Sequence, residues 1–440
     1  MSFSKAFSNI MDSNSYRPGA ADGAEPLIAA RQRLLGPANR LFYQRPVHIV
    51  RGLGAHLYDA DGLEYLDGYN NVASVGHCEP RVTEAVTRQM ATLNTHTRYL
   101  HGGIVDYSER LLATMPGALD QVMYACTGSE ANDLALRVAE TFTGARGVVI
   151  TADAYHGNTA AVTAISPSLG GATTIGDHVR TVAPPDSYRV PAGELAERFA
   201  ADVARAADEL KAAGHGVSAL VLDTIFSSDG VYATPDVLGP AVDVVRGHGG
   251  VFLADEVQPG FARTGDTTWG FQRHHVTPDL VTMGKPMGNG LPVAAMVGRS
   301  EVIAPFATGV PYFNTFAGNP VSMAAAWAVL DVIADDGLLG NARDVGAALR
   351  EGVSAIGDPR IGDVRGSGLY IGVEISDPET GTPDRTTARR LVNELRERRV
   401  LISVCGSEGQ VLKIRPPLVF SPSDVDWFCS ALTDVLALLA

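Results

Sequence analysis

The sequence predicts an α/β fold built on a mostly parallel central sheet. From about Pro80 to Val297, short apolar runs alternate with segments of helical periodicity, a pattern typical of α/β proteins. The runs have the length of buried strands and are centred near Val122, Val148, Leu220, Phe252 and Val281. We therefore expect a large domain whose central sheet is flanked by helices, together with a smaller α+β domain.

The two ends of the chain carry the signals of the smaller domain. Residues 48–50, 54–58 and 64–67 have the pattern of a small hairpin. After Pro320, a long apolar-periodic helix precedes strand candidates at 370–374 and 411–414. A chain of 440 residues is long enough for two domains of roughly 100 to 200 residues each. We predict an N-terminal segment (1–75) that contributes to the small domain, a large domain (76–324) and a C-terminal small domain (325–440).

Composition and charge indicate a globular enzyme rather than a polyanion-binding protein. The 35 basic and 49 acidic residues give a net charge of −14. This acidic excess disfavours general binding to nucleic acid or to an anionic membrane. No apolar run approaches the roughly 20 residues of a membrane span, and residues 1–30 lack the apolar core of a signal peptide. We therefore expect a cytoplasmic protein. The four cysteines show no C-x-x-C spacing, so neither a disulfide framework nor a structural zinc is expected.

Lys285 is the first candidate for chemistry. It lies where the apolar run 279–283 breaks into a glycine-rich segment, GKPMGNG, at 284–290. A lysine at the mouth of a buried strand is easily desolvated, and a desolvated lysine amine can form a Schiff base with a carbonyl cofactor. Taken alone, Lys285 could also be a solvated loop lysine, so the interpretation depends on its neighbours.

Asp255 is the second candidate, because it ends another short apolar run at 250–254. In parallel α/β sheets the ligand crevice lies outside the carboxyl ends of the strands, so Asp255 and Lys285 are expected at the same edge. A buried carboxylate next to a ring nitrogen favours the protonated ring, and a protonated pyridine is a good electron sink. Taken alone, Asp255 could equally be a helix cap or a metal ligand.

A phosphate site is predicted where Gly128 and Ser129 begin a segment of helical period that stops at Gly144. The free N–H groups and the positive dipole end of a helix favour an anion there, and the Ser129 hydroxyl adds a donor. A serine at this position can also be only a cap.

An aromatic residue completes the set of candidates. Tyr155 follows the apolar run 147–150 and could stack on a flat ring, with Val257 covering the opposite face. Each of these residues alone would be ordinary, but a lysine, an acid, a phosphate site and a ring-stacking residue suit one cofactor. Together they predict a pyridoxal 5′-phosphate site.

The motifs around these residues resemble those of the class III aminotransferases, a family of pyridoxal phosphate enzymes. The resemblance extends from about Arg31 to the end of the chain and implies the fold type I of these enzymes. It is carried by GSEANDLALR (128–137), YHG (155–157), DEVQ (255–258), GKPMGNG (284–290), FNTF (313–316) and GNP (318–320).

The resemblance also implies a role for each candidate. Lys285 is the Schiff-base lysine, Asp255 contacts the pyridine nitrogen, and Gln258 lies near the phenolic oxygen. Gly128 and Ser129 hold the cofactor phosphate, Tyr155 stacks on the ring and Val257 covers its other face. Thr315 reaches the phosphate of the neighbouring subunit's cofactor, which implies a homodimer with active sites at the subunit interface.

Two arginines are candidates for the substrate anion. Arg415 resembles the arginine that binds a substrate carboxylate in transaminating members, and in some relatives a glutamate at the position of Asp223 pairs with it. The acid here is one methylene shorter, so we expect this pairing to be lost. Arg98 is the second candidate, although a surface ion pair is an equally good interpretation of it.

Within the family, the flanking segments are similar to those of phospho-lyases that act on ethanolamine phosphate and phosphohydroxylysine. This similarity implies α,β-elimination of phosphate from an O-phosphorylated amine or amino acid, giving an aldehyde, ammonia and phosphate. An ω-aminotransferase that passes the amino group to a keto acid such as pyruvate is the alternative. The segments concerned are RLLGP (33–37), NNVA (70–73), RYLH (98–101), IVDY (104–107) and LKIRPP (412–417).

Other chemistries are poorly supported by the sequence. The segment around Lys285 is not a nucleotide-phosphate loop, since position 279 is aspartate and Pro286 replaces the expected serine or threonine. The chain has neither a G-x-S-x-G elbow nor an H-E-x-x-H motif, and no metal site is predicted. A non-catalytic cofactor-binding regulator is the alternative of a different class, but no added DNA-binding segment accompanies it.

Overall fold

The computed structural model describes residues 13–17, 26–171 and 173–439. Within these ranges the strands are β1 (Ile49–Leu53), β2 (His56–Asp59), β3 (Glu64–Asp67), β4 (Gln121–Ala125), β5 (Val148–Thr151), β6 (Val179–Val182), β7 (Ala219–Asp223), β8 (Val251–Asp255), β9 (Leu280–Met283), β10 (Ala294–Gly298), β11 (Ile361–Ser367), β12 (Tyr370–Ile375), β13 (Val400–Leu401), β14 (Ser403–Cys405) and β15 (Val411–Ile414). The helices are α1 (Pro26–Leu35), α2 (Pro80–Thr92), α3 (Gly102–Leu112), α4 (Gly128–Thr143), α5 (Ala160–Thr163), α6 (Leu195–Ala212), α7 (Gly239–Gly247), α8 (Ser300–Gly309), α9 (Pro320–Asp335), α10 (Leu338–Ala355), α11 (Arg385–Glu397) and α12 (Pro422–Leu438).

A seven-stranded sheet with the order β4-β10-β9-β8-β7-β5-β6 forms the centre of the large domain. Strand β10 runs antiparallel to both of its neighbours, whereas the pairs from β9 through β6 are parallel. The predicted mostly parallel sheet is therefore confirmed, and each of the five predicted strand centres lies in a strand. Strands β6 and β10 were not among those centres.

Helices cover both faces of this sheet. Side chains of α4 and α8 pack on one face together with Ile150 and Leu253, whereas side chains of α6 and α7 pack on the other with Val149 and Phe252. Every residue of β8 and β9 is buried, as expected for strands covered on both sides. A charged residue at the end of such a strand is largely shielded from solvent. Residues in this position form the candidate active site.

Two four-stranded sheets lie outside the central one. One has the order β1-β2-β3-β13, in which three N-terminal strands are joined by a C-terminal strand parallel to β3. The predicted hairpin is thus a three-stranded antiparallel meander. The other sheet is antiparallel and has the order β11-β12-β15-β14. The division of the chain at residues 75 and 324 stays a prediction, and residue 324 itself lies inside α9.

No helix within the described ranges has the length and apolar character needed to cross a membrane.

Candidate active site

A cavity of about 330 Å³ opens at the carboxyl edge of the central sheet. It lies where β8 and β9 end and where α4 begins after β4. Seven of the predicted site residues line it: Gly128, Ser129, Tyr155, Asp255, Val257, Gln258 and Lys285. Three others, Arg98, Thr315 and Arg415, are not on its wall.

Lys285 follows β9 and contributes its side chain to the cavity wall. Burial and, next, the charge of Arg415 lower the pKa of its amine, Asp255 acts in the opposite direction, and the net pKa is about 8. In the described part of the chain the amine has no hydrogen bond or ion pair. Because a neutral amine is the nucleophilic and basic form, this environment prepares Lys285 for covalent and proton-transfer chemistry.

Asp255 is held in one orientation by three donors. His156 Nδ1 lies 2.7 Å from Asp255 Oδ2, and Asn132 Nδ2 donates to the same oxygen at 3.0 Å. The N–H of Val257 donates to Oδ1 at 3.1 Å. Since an ionised carboxylate only accepts hydrogen bonds, Nδ1 is the protonated nitrogen of His156. The carboxylate is 4% exposed, so it acts on the cavity with little screening by solvent.

This carboxylate is positioned by residues that the sequence did not single out. Asn132 Oδ1 accepts a hydrogen bond from Thr282 Oγ1 at 2.6 Å, and Asn132 Nδ2 also donates to the carbonyl oxygen of His156 at 2.7 Å. A signal for Asn132 was present, because it is a polar residue on the buried, otherwise apolar face of α4. The role of His156 depends on its contact with Asp255, and that of Thr282 on its contact with Asn132. Neither contact can be inferred from the local sequence.

The start of α4 leaves donors free for an anion. Thr127 and Glu130 form a capping box, in which Thr127 Oγ1 accepts from the N–H of Glu130 and the Glu130 carboxylate accepts from the N–H of Thr127. The N–H groups of Gly128 and Ser129, in the first helical turn, have no partner within the helix. The Ser129 hydroxyl accepts from the N–H of Asn158 at 3.1 Å and can still donate.

Glycines let the cavity wall pack closely next to these donors. A Cβ on Gly128 would lie 2.9 Å from Val257 Cγ2, and a Cβ on Gly157 would lie 2.4 Å from Ser129 Oγ. Tyr155 and Val257 both line the cavity, as the predicted pair of ring-covering residues requires. A close glycine cradle, free helix donors, a reactive amine and a buried carboxylate fit pyridoxal 5′-phosphate.

Arg415 reaches the cavity through Gln258. The guanidinium Nη1 of Arg415 and the hydroxyl of Tyr370 both donate to Gln258 Oε1, and Gln258 Nε2 donates to Ser227 Oγ. Ser227 Oγ in turn donates to Asp223. Asp223 and Arg415 form no ion pair in the part of the chain that the structure describes, as we expected from the shortened acid.

Arg98 and Thr315 are exposed and lie away from the cavity within one chain. The guanidinium carbon of Arg98 lies 4.0 Å from the centre of the Phe313 ring, two residues before Thr315. This contact replaces the surface ion pair considered for Arg98. The predicted roles of Arg98 and Thr315 at an active site therefore require a second copy of the chain and stay predictions.

Comparisons with known proteins agree with this geometry. Residues 40–436 match the model of the family described as aminotransferase class-III. The chain is 39% identical to an alanine–glyoxylate aminotransferase 2-like protein of Drosophila melanogaster, over 93% of this chain and 86% of that protein. It is 34% identical to ethanolamine-phosphate phospho-lyase homolog 1 of Caenorhabditis elegans, over 94% of each chain. A solved phospholyase from Arthrobacter in complex with phosphoethanolamine superposes with a TM-score of 0.91 at 42% identity, covering 94% of this chain and all of that one.

Proposed function

Because this chain belongs to the class III aminotransferase family, with its fold type I and its pyridoxal 5′-phosphate cofactor, we propose that it is a phospho-lyase. Its substrate would be a small O-phosphorylated amine such as ethanolamine phosphate, and its products an aldehyde, ammonia and inorganic phosphate. The likeness to the Arthrobacter phospholyase supports the proposal.

The observation that carries the proposal is that Arg415 has no carboxylate partner. Arg415 is 8% exposed, and among the described residues its guanidinium donates only to neutral groups. A buried charge without a counterion is costly, so the site favours substrates that bring an anion. A lyase binds an anionic substrate in every turnover. An ω-aminotransferase must also accept amines that carry no anionic group. In such an enzyme an acidic residue that neutralises the arginine would favour binding of these uncharged substrates.

The residues of the cavity can perform the elimination. When bound, the cofactor supplies a protonated pyridine ring that accepts electrons from the reacting carbon. Asp255 keeps that ring nitrogen protonated, since the opposite charge favours the cationic form. Lys285 Nζ takes the proton from the carbon next to the substrate amine. The N–H groups of Gly128 and Ser129 bind the cofactor phosphate and so fix the position of the ring.

Orientation then decides the outcome. An anion site that would hold the leaving phosphate in one orientation relative to the reacting carbon favours elimination, since correct alignment lowers the barrier of that step. Loss of phosphate leaves a product that hydrolyses to the aldehyde and ammonia. If the phosphate stays bound to the substrate carbon, Lys285 could instead return the proton at a different position, and the outcome would be amino-group transfer.

An aminotransferase is the second candidate function. The observation in its favour is the 39% identical Drosophila relative, which is named as an alanine–glyoxylate aminotransferase 2-like protein. The two activities share the same first proton transfer by Lys285. They differ in whether an amino acceptor is required.

The deciding experiment omits that acceptor. The enzyme is incubated with ethanolamine phosphate and no keto acid, and acetaldehyde, ammonia and inorganic phosphate are measured. We expect all three in equal amounts. Turnover that depends on pyruvate or glyoxylate would refute the lyase and support the aminotransferase, whereas phosphate with ethanolamine but without aldehyde would indicate a contaminating phosphatase.

The Lys285→Ala variant is the control. It should remain folded and lose turnover. Borohydride reduction followed by peptide mapping should label Lys285 in the wild-type enzyme and not in this variant. A label on another lysine would contradict the proposed role.

We also propose that the enzyme is a homodimer with Thr315 at the shared site. The exposure of Thr315 and Arg98 in a single chain supports this. Analytical ultracentrifugation should give a dimer, and Thr315→Ala should weaken cofactor binding. A monomer with full activity would contradict the proposal.

A further inference from the structure

We propose that Lys413, together with Arg415, forms a subsite for a phosphate dianion, and that Lys413 is the residue that selects phosphate over carboxylate. This inference rests on the proposed function and deepens it, because it identifies the charge of the group that the enzyme eliminates. It concerns a lysine that the roles described above do not use.

Lys413 and Arg415 point to the same side of their sheet. Lys413 lies in β15 and Arg415 follows that strand, so the two residues are separated by one position, and residues i and i+2 share a face of a strand. Leu412 and Ile414 occupy the other face and are fully buried in the core. The N–H of Arg415 donates to the carbonyl oxygen of Gly68 at 2.8 Å, which fixes the backbone where the strand ends.

The neighbours of Lys413 leave its amine without a counterion. Lys413 is 6% exposed, and its Nζ lies 5.7 Å from the centre of the Tyr370 ring. In the described chain this amine has no hydrogen bond or ion pair. The buried acid on the adjacent strand, Glu374, is already engaged by Arg189 and Arg365, each at 2.7 Å.

Arg415 has an incomplete set of partners as well. Its Nη1 donates to Gln258, its Cζ lies 4.2 Å from the centre of the Tyr69 ring, and its Nε is buried without a partner among the described residues. Asp223, an acid on the cavity wall, accepts from Ser227 instead. Two buried cations with no carboxylate between them are unfavourable unless an anion joins them.

The number of cations distinguishes the possible anions. One arginine is sufficient to pair with a carboxylate, which carries a single charge. A phosphate monoester carries between about −1.5 and −2 near neutral pH and has three acceptor oxygens, so a second cation adds more to its binding than to that of a carboxylate. The lysine beside the arginine therefore matches the substrate class of a phospho-lyase.

The subsite is also coupled to the reactive amine. Burial lowers the pKa of Lys285, and the charges of Arg415 and then Lys413 lower it further. A dianion bound by these two residues would offset their charge and raise the pKa of Lys285. The base would thus gain strength when the phosphate of the substrate is in place.

The test measures binding of inorganic phosphate and of acetate to the cofactor-loaded enzyme by isothermal titration calorimetry. In the wild-type enzyme we expect phosphate to bind at least about tenfold more tightly than acetate. Lys413→Met should weaken phosphate binding by about tenfold or more and change acetate binding little, whereas Lys413→Arg should retain most of the phosphate affinity. Lys211→Met removes an exposed lysine far from the site and should change neither affinity.

Several results would overturn the inference. Equal affinity of the wild-type enzyme for phosphate and acetate would do so without any variant, and so would unchanged phosphate binding by a folded Lys413→Met enzyme. Folding of that variant is checked by the visible absorption of its cofactor and by its Tm. If phosphate binding depends on Lys413 but the enzyme releases no aldehyde, the subsite is supported and the lyase activity is refuted. Elimination unaffected by Lys413→Met would refute the subsite and leave the lyase intact.

Discussion

Removing the charge of Lys285 should stabilise the protein when its cofactor is absent. The amine has a pKa of about 8 in the folded chain, against an ordinary value of 10.5, because burial and the nearby charge of Arg415 disfavour its protonated form. At about 1.4 kcal/mol per pH unit, this difference corresponds to roughly 3 kcal/mol of unfavourable free energy in the folded apoenzyme. Lys285→Met keeps most of the side-chain volume and removes the charge.

The pH dependence gives the sign of the effect. Below pH 8 the lysine is protonated in both the folded and the unfolded chain, and the folded state carries the full cost. Between about pH 8 and 10.5 only the unfolded chain holds the proton, so the stability of the wild-type apoenzyme rises with pH. Above that range the lysine is neutral in both states and the cost disappears.

Urea denaturation of the two apoenzymes measures this difference. At pH 7 we expect Lys285→Met to exceed the wild-type free energy of unfolding by roughly 3 kcal/mol, and at about pH 10.5 we expect the two to be nearly equal. Comparing the two proteins at each pH cancels the titration of all other groups. A variant that is less stable at pH 7, or a difference that does not change with pH, would refute the reasoning.

Three further predictions concern the cofactor cradle and the residues behind it. Gly128→Ala should destabilise the fold by about 1–3 kcal/mol and weaken cofactor binding, because its Cβ would lie 2.9 Å from Val257 Cγ2. Thermal unfolding and cofactor titrations measure the two effects. The control is Gly117→Ala, whose Cβ would meet no atom within 4 Å and which should change neither. Asp255→Asn keeps the shape of the side chain but removes its charge, so kcat should fall by about 100-fold or more while the near-ultraviolet circular dichroism stays unchanged, and a smaller loss would contradict its role behind the ring. Thr282→Val removes the donor to Asn132 Oδ1, so urea denaturation should show a free energy of unfolding that is lower by about 1–3 kcal/mol. An unchanged urea midpoint would show that this hydrogen bond does not contribute to stability.

The sequence was sufficient to predict which edge of the sheet carries the chemistry. Lys285 and Asp255 each end a short apolar run, and the carboxyl ends of parallel strands meet at one edge. Ser129 was recognisable because the helical period of α4 begins there. These inferences use only local patterns and one topological rule, and the structure brings all of these residues to one cavity.

The contacts that hold Asp255 could not be predicted in the same way. Asn132 and His156 contact the Asp255 carboxylate from different parts of the chain, and Thr282 holds Asn132 from a third, and no local pattern shows that these side chains meet. The pairing of β13 with β3 is a second example, since it joins residues more than 300 positions apart. The N-terminal meander was predicted as a hairpin because turn signals define neighbouring strands but not a distant third partner.

The reactive amine and the two cations of the proposed phosphate subsite lie on different sheets. Asp255 ends β8 and Lys285 follows β9 of the seven-stranded sheet, whereas Lys413 lies in β15 of the small antiparallel sheet and Arg415 follows it. Gln258, which accepts a hydrogen bond from Arg415, links the two sheets. A change in the angle between the two sheets would alter the distance from nitrogen to cation without disturbing either group of residues. If Lys413 and Arg415 bind the leaving phosphate as proposed, the packing of the two sheets sets the length of substrate whose reacting carbon reaches Lys285 while its phosphate reaches the two cations.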